Sequence, residues 1–250
     1  MRSVRAPVVL SMLVVVASAC GSQSTATQQS SSQSAVRDFV TAGYPHGVPY
    51  DGAIALGPAA VPELLHLLDD PAMKGDRGNI VATLGMIGGP DAVKRLKALI
   101  ADGTTELPND EVSLRTNAVF ALGYCAYVPQ PAPAAAWQIE ALDYLKQGLV
   151  VGNWAFVKWT MPPNQRDPAP RLRLRAIAGL GLSGDKSALA ALQALPPPAG
   201  GGRGGGPGGS QGGWSASQSE QASIDEAIKT NLYIHDHGMS QYYRQTFVVR

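Results

Sequence analysis

Arg77 to Gly88 reads Arg-Gly-Asn-Ile-Val-Ala-Thr-Leu-Gly-Met-Ile-Gly, and Arg173 to Gly184 reads Arg-Leu-Arg-Ala-Ile-Ala-Gly-Leu-Gly-Leu-Ser-Gly. In both, an arginine stands seven residues before the leucine of a Leu-Gly pair, and a further glycine, Gly88 or Gly184, follows three residues after the glycine of that pair. A third copy runs from Arg115 through Leu122-Gly123 to Ala126, where alanine takes the place of the last glycine. Ile80, Leu84 and Ile87 fall on one face of a helix, Gly88-Gly89 breaks it, and Pro90-Asp91 suits the first turn of the next. Val93, Leu96 and Leu99 then resume the apolar stripe. The last copy does the same with Leu174, Ile177 and Gly181, then Gly184-Asp185, then Leu189, Leu192 and Leu195. Self-similarity of this kind predicts stacked helical hairpins.

Outward from these copies the pattern extends in both directions. Val61, Leu64 and Leu68, behind Leu56-Gly57-Pro58, read as the second helix of a first hairpin that lacks most of its opening helix. The third hairpin supplies Ala118 and Leu122, then Ile139, Leu142 and Leu145. Val61 and Val93 lie 32 residues apart, the length of a two-helix unit, and the larger later steps mark insertions. Beyond the glycine-rich stretch 200–213, Ser217-x-x-Glu220 reads as a capping box opening a C-terminal helix. Gly238 is expected to end that helix, and Tyr242 to Val249 reads as a short strand or extended tail.

The wording Leu56-Gly57-Pro58-Ala59-Ala60-Val61-Pro62-Glu63-Leu64-Leu65, with Arg77 to Gly88 and Arg173 to Leu195, resembles the HEAT repeats, in particular the short type first associated with phycobilisome lyases. The resemblance covers roughly residues 52 to 196. It implies an all-α, right-handed α-solenoid of about four helical hairpins, of the kind that mostly serves as a protein-binding scaffold. Lyase activity belongs to particular members and does not transfer with the repeat.

Arg2 and Arg5 precede an apolar run, Ala6 to Val16, too short to span a bilayer, and Ala17, Ser18 and Ala19 lead into Cys20. This resembles the lipobox of bacterial lipoproteins, with Ala17 where that family prefers leucine. It implies removal of residues 1–19 and acylation of Cys20; an ordinary secretory signal leaving Cys20 as a thiol is the alternative. Gly21 in place of an aspartate favours the outer membrane in a cell that has one. Gly, Ser, Gln, Thr and Ala dominate up to Ser34 and cannot bury enough surface to fold. The expected organisation is signal 1–19, lipid-anchored tether 20–43, repeat domain 44–198, glycine-rich linker 199–216, and C-terminal helix and tail 217–250.

Signal removal takes two arginines and no acid, shifting the net charge from +1 to −1, which argues against nucleic acid as a partner. The glycine-rich stretch 200–213, within which Gly208 to Gly212 happens to spell Gly-x-Ser-x-Gly, is low-complexity with no strand before it, and no phosphate loop ending in Gly-Lys-Ser/Thr occurs, so no reaction and no cofactor is expected. Cys125 reads as a small buried thiol, and His235-Asp236-His237 as the polar end of a helix instead of a metal site. The recurring Arg77, Arg115 and Arg173 read as inter-repeat fasteners. One departure from the repeat stands out. Val150 to Pro163 holds Trp154, Phe156, Lys158 and Trp159, with Arg166 shortly after. These five residues either form a recognition surface or fold down as a lid. The expected function is a non-catalytic scaffold for an envelope protein, with a small ligand or glycan on the aromatic insertion as the alternative.

Overall fold

The computed structural model describes residues 33–45, 47–196 and 216–247. The signal, Cys20, His46 and the linker up to residue 215 lie outside them. Among the described residues there are eleven α-helices and no strand, and no helix is long and apolar enough to cross a membrane. In chain order these are α1 (33–41), α2 (Tyr50–Leu56), α3 (Val61–Asp69), α4 (Arg77–Ile87), α5 (Pro90–Ala101) and α6 (Asn109–Ala126). They continue with α7 (Ala136–Gln147), α8 (Ala169–Leu182), α9 (Lys186–Gln193), α10 (Ala216–His237) and α11 (Met239–Phe247).

The Leu-Gly pairs are where neighbouring helices meet. Leu84, Leu122 and Leu180 are fully buried, each worth roughly 1.5–3 kcal/mol of transfer free energy. The adjoining glycines let backbones touch. A methyl on Gly85 would lie 2.6 Å from the Ala121 carbonyl oxygen, one on Gly123 2.5 Å from that of Gly179, and one on Gly181 2.9 Å from that of Ala227. Thus α4 rests on α6, α6 on α8 and α8 on α10 by one repeated contact. α10, beyond the linker, packs on α8, and its Ile224 and Ala227 belong to the same core as Leu84 and Leu180.

The turn glycines act differently. Gly88 and Gly184 take φ of 72° and 58°, left-handed values that end α4 and α8 and reverse the chain into α5 and α9. Asp185 then caps α9 by accepting from the backbone N–H groups of Ser187 and Ala188 at 2.8 and 3.1 Å. Where Ala126 replaces the glycine, the chain instead leaves α6 with Tyr127 extended at φ −68°, and residues 127–135 are needed to reach α7.

Three sequence expectations differ from the structure. The tether was drawn through residue 43, but 33–41 is helical, because Val36, Phe39 and Val40 share one face and both valines enter the main core. The opening helix of the first hairpin, α2, is short at seven residues and packs on α4, and α1 lies against α4 too, the Asn79 side chain donating to the Val40 carbonyl at 2.9 Å. Ile139 is not part of the buried stripe of α7. It is 49% exposed, while Gln138, Ala141 and Leu145 turn inward. Tyr242 to Phe247 is helix, not strand, since Met239, Tyr242 and Tyr243 recur at helical spacing and pack against a second apolar cluster.

Candidate functional site

The aromatic insertion folds inward. Trp159 is fully buried and its indole N–H donates to the Ile100 carbonyl at 2.7 Å, at the end of α5. Trp154 is buried against Gly148, whose carbonyl accepts its indole N–H at 2.9 Å. A side chain at Gly148 would collide with that ring, at 2.6 Å. The backbone of Thr160 exchanges hydrogen bonds with Thr105 and Leu107 at 3.2 and 3.1 Å, lacing the insertion to the loop after α5. Of the five residues singled out, Phe156, Lys158 and Arg166 stay outside. Lys158 donates to the Ala155 carbonyl and Arg166 to that of Pro162, each at 2.7 Å. The segment therefore closes the edge of the stack with its two largest rings, and the five residues form no common surface.

The repeated arginines are fasteners. Arg115 Nε donates to the Asp102 carbonyl at 3.0 Å and Arg173 Nε to that of Leu149 at 2.7 Å, in each case just past the preceding hairpin's second helix. Glu111 holds Arg77 and Arg115 together, at 2.5 Å from each guanidinium, and Glu220 on α10 takes Arg173. Arg77 Nε is buried without a hydrogen-bond partner.

On the other side of the stack, Met86, Tyr124, Leu182 and Ile234 come from α4, α6, α8 and α10 and make a second apolar cluster with Tyr50. α11 lies across it. Tyr243 stacks on Tyr50 with ring centroids 5.5 Å apart and shares a hydroxyl–hydroxyl hydrogen bond with Tyr124, while Arg244 pairs with Asp51 of α2 at 3.0 Å. The last helix thus reaches back to the first hairpin. Burial is the main reason that Tyr50, Tyr124 and Tyr243 have pKa values above the ordinary 10. Phenols raised in the folded state stabilise it fully below pH 10, and that contribution is lost as the pH climbs beyond it. The native chain should therefore show a delayed phenolate titration relative to the urea-unfolded chain. α11 should become open to proteolysis as the delayed phenols ionise. Coincident titration curves would contradict the buried arrangement.

Beside α11 the same face stays open as a groove of about 550 Å³ between α8 and α10. Phe120, Leu174, Ala178 and Leu182 give it apolar walls, and Tyr242 closes one side. Arg171 and Arg175 lie one turn apart on α8 and line it, with Glu226 opposite. Neither arginine has a hydrogen bond or ion pair among the described residues, in contrast to Arg173 between them. Arg175 is half-buried; that burial first, and the like charge of Arg171 second, pull its pKa below the ordinary guanidinium value. This groove was not anticipated from sequence. The alternation Arg171-Leu172-Arg173-Leu174-Arg175 was the available signal, because residues at i and i+4 share a helical face that the middle arginine does not.

The remaining candidates resolve as structure. The Cys125 thiol donates to the Gly85 carbonyl at 3.4 Å, and burial pushes its pKa up to about 12, which is unsuited to a nucleophile. His235 Nδ1 lies 3.1 Å from the Gly184 carbonyl, tying the end of α10 to the turn after α8, and His237 packs at a tilt on Tyr233 one turn back on the same helix. Among the described residues no group of three or more His, Cys, Asp or Glu is placed to hold a metal ion. Comparison of the chain with known protein families, with curated proteins and with solved structures finds no match.

Proposed function

We propose that the chain is a lipid-anchored, HEAT-like α-solenoid that works in the cell envelope as a non-catalytic scaffold. It would be acylated at Cys20 and hold a partner protein on the face formed by the first helices of its hairpins. The observation that carries this reading is the contact repeated in register at Gly85, Gly123 and Gly181. Backbone-to-backbone packing of that kind makes a stiff, pre-formed surface, which lowers the ordering cost of binding. The open groove beside α11 lies on that surface. The alternative, a small ligand or glycan on the aromatic insertion, has only Phe156 to offer among the large exposed rings of that segment.

The test is crosslinking of the intact chain in its native envelope, followed by identification of what is bound. A covalently captured protein that disappears when surface positions on α8 and α10 are blocked supports the scaffold. Purified material that retains a small molecule, with no protein captured, overturns it. Anchoring is checked separately: Cys20→Ser is expected to move the chain from the membrane fraction to the soluble fraction.

A further inference from the structure

Resting on that scaffold reading, we propose that the groove between α8 and α10 seats an acidic, extended protein segment. Arg171 and Arg175 would pair with its carboxylates, and Phe120, Ala178 and Leu182 would receive an apolar side chain next to them.

Charge complementarity selects this occupant. Most other arginines of the stacked helices are committed: Arg77 and Arg115 to Glu111, Arg173 to Glu220, Arg95 to Asp69. Arg171 and Arg175 are held a turn apart, without a carboxylate within ion-pair distance, on the wall of one groove. Two like charges at that spacing repel, and partial burial of Arg175 adds a desolvation cost. A ligand bringing carboxylates relieves both, and a guanidinium binds a carboxylate in bidentate geometry. The shape fits a chain more than a compact molecule. From Arg171 to Leu182 the wall follows α8 for about 16 Å, which an extended strand of about five residues would cover.

The test uses the full chain and a dye-labelled hexapeptide, Leu-Asp-Glu-Leu-Asp-Phe, followed by fluorescence anisotropy. Binding that weakens with salt, and by about tenfold or more in R171Q/R175Q, is the expected result. The same peptide with amides in place of its acids should fail to bind. Arg173→Lys, outside the groove, should leave affinity unchanged in chains that remain folded by circular dichroism. Equal binding of the amide peptide, or an R171Q/R175Q affinity equal to that of the parent, overturns the proposal. So does arginine-dependent binding to phosphatidylglycerol vesicles with none to the peptide, which would assign the groove to a membrane. A photo-crosslinking residue at Ala222, on the groove rim, and another at Ile139, on the exposed side of α7, separate this failure from that of the scaffold. Protein captured only from Ile139 removes the groove and keeps a scaffold; capture from neither position removes both.

Discussion

Gly123→Ala is expected to destabilise the protein by about 3 kcal/mol, and Gly123→Val by more than about 4. On helix propensity alone the alanine should help by about 1 kcal/mol. The sign reverses because the new methyl would lie 2.5 Å from the carbonyl oxygen of Gly179 and 2.6 Å from its Cα. Both are backbone atoms, so no rotamer change relieves the collision and α6 must part from α8. Those helices sit in the middle of the stack, and separating them loosens Leu122 and Leu180 as well. Gly78 is the control. It lies in α4, is exposed, and has nothing within 4 Å of where its Cβ would be. Gly78→Ala should be neutral or stabilise by up to about 1 kcal/mol. Urea unfolding of the two alanine variants measures the contrast, and equal midpoints would mean that the Leu-Gly contact does not hold the helices together.

Trp159→Ala is the second large effect, with an expected cost of about 4 kcal/mol. The indole is fully buried, so its removal leaves a cavity, and it also strips the Ile100 carbonyl of its donor. The carbonyl closes α5, hence the damage should spread to the loop that Thr160 laces, including Leu107. Phe156→Ala, at a side chain 45% exposed, should cost less than about 1 kcal/mol. Loss of stability at Trp159 with near neutrality at Phe156 is what a lid requires. A ligand surface would show the opposite: unchanged urea midpoints for both and a loss of binding.

These two residues also show what kinds of information the chain carries openly. The Leu-Gly pairs were legible because a helix contact made the same way several times writes the same residues several times. The inward turn of Trp159 was not legible. Aromatic content marks a segment as consequential, but whether a ring packs down or faces solvent depends on what lies beneath it, here the end of α5 some 59 residues earlier. α1 was hidden for a related reason. Val36, Phe39 and Val40 hold a helical face, yet they follow a long polar run and only the core supplied by α3 and α4 gives that short face somewhere to go. The segment of α11 reads in sequence as a short strand or extended tail, because its partner Tyr50 lies far away along the chain.

Sequence by itself determined the helical hairpins, their turns at Gly88 and Gly184, and the fastening role of Arg115 and Arg173. All of these are set by local periodicity, by φ values that favour glycine, or by a unit repeated along the chain. Tertiary structure alone decided that α11 returns to the first hairpin and that Arg171 and Arg175 face an open groove. The physical reason is the same in each case. Charge pairing and burial are properties of neighbours in space, and the repeat that marks Arg173 does not tell whether a carboxylate stands beside Arg171 and Arg175 on the other face of the helix.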